Sequence, residues 1–221
     1  MKKIIYLMIV SFLLFGCGSS KPIPDWTNAS FDQLDNYKTC YLSGRERIAE
    51  AYFNKAVDEI KKGGDLEILA RAYLTKYAVQ VAVLEAFDDG EYLRIDAVAP
   101  VLQNRAFYIF LKGSFDKVDE KLLPQQYGGF LIAFQNGNAE DIANEISKMD
   151  NPLSKLIAIG LLVQKNKYDE RNLKIAIDAA SYNGWRKALL VYLEKLQSFY
   201  ETKNEPEKAA NVGQKIRLLK K

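Results

Sequence analysis

The sequence predicts an all-α protein whose second half is a right-handed helical-hairpin solenoid, with an irregular α-helical bundle as the alternative. Three observations predict it. Apolar residues recur three or four positions apart from Ser30 almost to the end. Helix start and stop residues punctuate that rhythm at Gly63-Gly64, Asp65, Asn151-Pro152, Asp169 and Glu205-Pro206. Polar turns at "NGN" (136–138), "KNKYD" (165–169) and "TKNEPE" (202–207) each lie between two apolar-periodic segments, and their centres Gly137, Asn166 and Asn204 are 29 and 38 residues apart. The mean spacing is close to the roughly 34-residue period of helix–turn–helix repeats.

The chain opens on Lys2 and Lys3 and a twelve-residue run, Ile4 to Phe15, interrupted only by Ser11. A spanning helix needs about 20 apolar residues. This run is too short for that and reads as the cationic and apolar regions of an export signal. It ends at Leu14-Phe15-Gly16-Cys17. That border resembles the lipobox of bacterial lipoproteins, with Phe15 standing where a small residue is more common. An ordinary secretory signal beside a chance cysteine is the alternative. The resemblance implies cleavage between Gly16 and Cys17, a diacylglyceryl thioether on Cys17, and further acylation, for instance by palmitate, of the new amino terminus. Burying acyl chains is worth about 0.8 kcal/mol per CH₂, so two or three of them fix a protein to a membrane. Gly18, not Asp, follows the cysteine; by analogy with enteric bacteria this implies the periplasmic face of the outer membrane ahead of the inner membrane.

Residues 17–29 read as the lipidated cysteine and its tether. "GSSKPIPD" (18–25) carries two prolines, and such a segment extends at about 3.1 Å per residue. Trp26 is expected to close the tether by packing on the first helix. Residues 30–123 form an N-terminal helical region. Ser30 is expected to cap a helix with Phe31, Leu34, Tyr37 and Tyr41 on one face. Ser43 and Glu46 resemble a capping box opening a second helix, with Ile48, Ala51, Tyr52, Ala56, Val57 and Ile60 on its stripe. Asp65 caps a third helix from Leu66 to about Phe87, apolar on most sides, although Val79, Val81 and Val83 also alternate as in a strand. "DDGEYLRIDAVAP" (88–100) breaks the rhythm and reads as a loop with a short extended piece.

Residues 124–221 should form three helix pairs: 124–136 with 138–148, 152–165 with 170–183, and 185–203 with 206–220. In "LEKLQSFYETKNEPEKAANVGQKI", Leu196, Tyr200, Asn204 and Ala209 resemble the apolar, aromatic, turn and alanine positions of tetratricopeptide repeats. The resemblance departs at Gly213, where a bulky aromatic is usual, and is looser in the earlier pairs. It implies that small Ala209 lets the two helices approach while Tyr200 fills the space beside it.

Composition restricts the chemistry. Without residues 1–16 the chain keeps 205 residues and 29 basic against 28 acidic side chains, a net charge of +1. Nucleic-acid binding needs clustered cations, so no nucleic-acid partner is expected. There is no histidine, which removes Ser-His-Asp and Cys-His catalysis and histidine metal sites. Cys40 is the only cysteine besides Cys17 and is expected to be a structural thiol. "DDGE" (88–91) lacks the alternating oxygen ligands of a calcium loop. Carboxylate-only glycan hydrolysis would need two acids from different helices roughly 5 to 10 Å apart, with Glu46 or Glu50 and Asp88, Asp89 or Glu91 as the candidates.

No enzyme activity and no cofactor are expected. The expected role is that of a lipid-anchored cell-envelope protein, joined to the membrane by lipid, whose helical hairpins bind another envelope protein; stacked hairpins present concave surfaces that need no catalytic groups. A small-molecule or glycan-binding lipoprotein with an aromatic-lined pocket is the runner-up. Tyr37, Tyr41, Tyr52 and Tyr73 are the candidate lining of a groove, and Trp185 in the "NGW" corner is the candidate hot spot or staple. The basic end, Lys215, Arg217, Lys220 and Lys221, complements the last helix dipole.

Overall fold

Pro24 fixes the backbone just ahead of Asp25, and from there helix follows helix. The computed structural model describes residues 24–220; the signal segment, Gly16, Cys17 and Lys221 lie outside the described residues. Among the described residues the α-helices are α1 (Asp25–Leu42), α2 (Glu46–Gly63), α3 (Leu66–Ala82), α4 (Gly90–Val98), α5 (Leu102–Leu111), α6 (Gly128–Asn136), α7 (Ala139–Lys148), α8 (Pro152–Gln164), α9 (Glu170–Tyr182), α10 (Arg186–Thr202) and α11 (Pro206–Lys220), with three short 3₁₀ turns between α5 and α6. The described residues contain no strand, so the protein is all-α.

The caps explain most boundaries. Asp65, Asn138 and Asn151 accept hydrogen bonds from backbone N–H groups in the first turns of α3, α7 and α8. Asp169 and Asn172 close a reciprocal capping box on α9. Each satisfies donors that the helix itself leaves orphaned. Gly44, Gly64, Gly137, Asn166, Gly184 and Asn204 all turn the chain with positive φ. Glycine and asparagine tolerate that region best, so all three turn centres taken from the sequence are left-handed corners.

Several boundaries differ from expectation. Ser30 lies inside α1, where its hydroxyl donates to the Thr27 carbonyl; the helix is capped at Pro24, six residues earlier. Ser43 caps no helix start, because its hydroxyl donates to the Thr39 carbonyl at the end of α1. On α2 the buried stripe is Ala49, Phe53, Ala56, Val57 and Ile60. At about 100° per residue Ile48 and Ala51 point well away from that line, and Ile48 is exposed. The third helix stops at Ala82, five residues early, where Leu84 takes φ 61°. Most of 88–100 is helix α4: Asp88 accepts from the Gly90 N–H, and Tyr92 and Ile95, three apart, turn inward. Their spacing was helical, not alternating. The predicted helix at 124–136 begins as a 3₁₀ turn and becomes α-helical only at Gly128.

The core is built on two nearly all-apolar helices. α1 and α2 form an antiparallel hairpin in which the Trp26 ring lies on Gly63. α3 packs on α1, α2, α4 and α5, and crosses α8. At that crossing a β-carbon on Gly160 would run into the Val81 carbonyl oxygen. Only glycine permits this approach. From α6 onward, consecutive helices pack pairwise, and α10 also reaches back to α1. Within the last pair Ala209, Gly213 and Tyr200 are buried together. In a nearest-neighbour solenoid each repeat touches only the next; the α3–α8 and α1–α10 contacts tie distant parts of this chain into one body.

Two glycines separate packing from backbone strain. Gly160→Ala should cost about 1–3 kcal/mol or more through overpacking. Gly137→Ala has open space around its new methyl and should cost only the left-handed strain, about 1–2 kcal/mol. Urea denaturation of the two variants checks the order; a Gly160→Ala protein as stable as wild type would mean that the helices separate without loss.

Candidate functional site

Four of the five residues singled out in the sequence lie on α1, α2 and α3, and the fifth, Trp185, lies just before α10. Tyr37 and Tyr41 come from α1, Phe53 from α2, Tyr73 and Tyr77 from α3, and Phe87 from the segment after it. Their rings form a continuous ladder, Tyr41–Tyr37–Phe53–Tyr73–Tyr77–Phe87, with successive centroids 5.6, 5.3, 5.3, 6.5 and 4.7 Å apart. These separations suit tilted and stacked aromatic pairs. The ladder is mainly structural. Tyr37 is fully buried, and its hydroxyl has no hydrogen-bond partner among the described groups, so it lines no groove. Tyr41, Tyr52 and Tyr73 are half-buried. Tyr52 is outside the ladder, with Lys55 5.8 Å from its ring.

A polar cluster closes one end of this ladder. The Lys187 ammonium, on α10, lies 2.7 Å from Glu46 on α2 and 2.7 Å from Glu85 after α3, and 4.0 Å above the Tyr41 ring. Tyr41 in turn donates to Glu85. Burial alone pulls Lys187 down, but its bonds to Glu46 and Glu85 prevail and hold it above the ordinary lysine value. Burial, then the bond to Glu85, pushes Tyr41 up to about 12. Four separate segments meet at one cation.

The other candidate acids are engaged in the same way. Glu50 pairs with Lys76 at 2.7 Å, Glu91 with Arg94 at 2.7 Å, and Asp89 accepts from Tyr108 at 2.7 Å and Lys112 at 2.9 Å. Those bonds, led by Tyr108, hold Asp89 below its usual range. Asp88 caps α4. Around the 480 Å³ cleft between α3 and α4, lined by Tyr73, Tyr77, Asp88, Glu91, Lys76 and Arg94, the charged groups are therefore already engaged, Glu91 with Arg94 inside the cleft and Lys76 with Glu50 outside it. Cys40 is buried. Among the described residues no group of three or more Cys, Asp or Glu is placed to hold a metal, and no helix is long and apolar enough to cross a membrane.

Two cavities elsewhere present less satisfied surfaces. The first, about 490 Å³, lies between α3, α5 and the 3₁₀ turns; Leu74, Phe107, Leu122 and Leu123 line it with Arg71 and Lys121. Asn104 also lines it, is buried, and keeps an Nδ2 without a hydrogen-bond partner. The second is a groove of about 460 Å³ where α9 ends beside the start of α8, with Pro152, Ile175 and Ala179 among its walls and Tyr182 on its rim. Tyr182 is 92% exposed. Trp185, three residues on, is half-buried against the core instead. Of the two uses the sequence left open for Trp185, hot spot or staple, its half-burial fits the staple; the exposed aromatic of this corner is Tyr182, which falls off the Leu173–Ala176–Ile177–Ala180 stripe of α9.

Compared with family models, curated proteins and solved structures, the chain matches none of them. The reading of the site rests on its own residues.

Alkali should expose the buried phenols. Tyr41, Tyr77 and Tyr108 are each raised by burial to about 12 against 10 for an ordinary tyrosine, and Tyr37, Tyr92 and Tyr192 are raised further. Below pH 10 folded and unfolded chains both hold these protons. From pH 10 to about 12 the unfolded chain releases protons that the folded one keeps, so stability falls as pH rises. Lys187, also raised, acts in the same direction above its ordinary value of 10.5. Melting followed by circular dichroism should give a markedly lower Tm at pH 11 than at pH 8, with phenolate absorbance appearing in step with unfolding. Lys187→Met should cost about 2 kcal/mol, the scale of hydrogen bonds to a charged group.

Proposed function

We propose that the protein is a lipid-anchored, non-enzymatic component of the bacterial cell envelope whose helical hairpins bind another envelope protein. The anchor reading rests on Leu14-Phe15-Gly16-Cys17 after the apolar run, with the outer membrane as its proposed location. The binding reading is carried by one observation: a tyrosine, Tyr182, 92% exposed at the rim of a groove between consecutive hairpins whose walls set Pro152, Ile175 and Ala179 beside Asp150, Lys155 and Asp178. Exposed aromatics beside well-packed apolar pockets are the usual anchors of protein recognition. The groove is formed by helices held rigidly through their neighbours, as in tetratricopeptide-like arrays, and such arrays recognise partners with little catalytic chemistry.

A second reading is favoured by the unpartnered Nδ2 of buried Asn104 in the 490 Å³ cleft. The Nδ2 atom is itself closed off from solvent, so a small molecule would meet it only by displacing part of the cleft lining, setting an acceptor on the amide and an apolar face on Phe107; an unpaired buried donor costs about 1–3 kcal/mol. The lining would then be Phe107 and leucines, not the tyrosines expected from the sequence.

Incorporation of a labelled fatty acid should occur in the wild type and vanish in Cys17→Ala; equal labelling would refute the anchor. A photocrosslinking residue at position 182 should give one discrete envelope adduct, absent when it is placed at exposed position 132 on α6. The same adduct from both positions would refute the groove.

A further inference from the structure

The end of the body where the tether enters carries an apolar tip that the core does not use. α1 starts at Asp25, and the Trp26 ring lies on Gly63 at the end of α2. Gly64 and Asp65 lead directly into α3, so Leu66 belongs to this end. The first turns of α3 and α5 lie side by side, because Glu67, Arg71, Gln103 and Asn104 line one cleft. The connection from α4 to α5 is therefore at this end too. There Val98 is 74% and Leu102 65% exposed, with Pro100 between them also exposed, and Leu66 is 37% exposed. The opposite end of α1 holds Tyr41 against Lys187, two residues beyond Trp185.

We propose that this end rests on the lipid bilayer, with Val98 and Leu102 inserted at the headgroup boundary. The inference rests on the anchored reading above. From Cys17 to Ile23 there are only seven residues, which span at most about 25 Å. A body tethered that closely, through Pro24, presents the Trp26 end to the membrane first. Exposed apolar side chains on a tip suit insertion at a headgroup boundary, where apolar area is buried without a spanning helix. A spanning role is not needed, and the tip is short enough to enter without moving the core residues Tyr92 and Ile95 behind it.

The two tryptophans make the test internal. Trp26 and Tyr41 are fifteen residues apart on one helix, about 22 Å at 1.5 Å per residue, and Trp185 sits beside the Tyr41 end. Mature lipidated protein is reconstituted into phosphatidylethanolamine and phosphatidylglycerol vesicles whose acyl chains carry bromine near the headgroup. Flotation reports the anchor, and bromine quenching of tryptophan fluorescence reports orientation. In Trp185→Phe, which keeps Trp26, quenching should be at least twofold stronger than in Trp26→Phe, which keeps Trp185. Adding Val98→Asp and Leu102→Asp to the Trp185→Phe protein should at least halve the quenching while flotation persists; circular dichroism checks that each variant is folded. Protein that fails to float refutes the anchor and the docking with it. Protein that floats with Trp26 unquenched, with both tryptophans quenched equally, or with quenching unchanged by the two aspartates refutes the docking alone.

Discussion

The close approach of α8 to α3 at Gly160 governs the arrangement of everything else. α3 is buried along most of its length, from Leu69 to Ala82, and α8 from Leu156 to Leu162. Two helices of this kind have little solvent face to offer and must be largely enclosed by others. Because Gly160 lets α8 lie directly against the Val81 carbonyl, the α1–α2 hairpin can cover one side of α3 while α9 and α10 cover α8. The Tyr192 hydroxyl then reaches the Leu156 carbonyl at 3.0 Å in the interior, pinning α10 onto α8. A larger residue at 160 would push α8 away from α3, and α10, pinned to α8 through Tyr192, would carry Lys187 away from Glu46 and Glu85.

The corners convert that packing into a single path. Seven positions with left-handed backbone among Gly and Asn close helix ends at little steric cost. Leu84 is the exception, holding φ 61° with a branched side chain. Non-glycine residues in this region cost of order 1–3 kcal/mol and persist where their surroundings determine them. Here Glu85 donates its N–H to the Gln80 carbonyl and its side chain meets Lys187 and Tyr41. The segment after α3 is thus held in a strained conformation by contacts at its next residue, and the strain is stored where the two halves of the molecule meet.

The second half was the more legible because its punctuation is chemical: Asn151-Pro152 and Asp169 with Asn172 do the capping that their types imply, and Pro206 is the first residue of α11. The first half misled where one residue type has two local uses. Ser30 and Ser43 bond backward to carbonyls, as serine does inside or at the end of a helix, instead of capping forward. In 88–100 the acidic turn drew attention from the three-residue spacing of Tyr92 and Ile95. The aromatic site was legible only as composition. Tyrosines suit a groove and a core equally, and what placed Tyr37 inside was the crossing of α1, α2 and α3, a tertiary fact that no local spacing contains. The Asn104 amide and the Lys187 cluster join residues from distant segments, so they too had no sequence signal.

On the anchored reading, the helices also divide the surface by task. The tether, Trp26 and the Val98–Leu102 tip share one end of the molecule, whereas the Tyr182–Trp185 corner adjoins Lys187 and Gly44 at the far end of α1. A partner groove beside the bilayer would compete with lipid for its own apolar walls. Setting Tyr182 about one helix length away from the tip avoids that competition, and the rigid α1–α2 hairpin between them keeps the separation fixed. On that reading a partner would reach the groove from the side away from the membrane, which suits a soluble protein or a long extramembrane domain better than a segment lying in the bilayer.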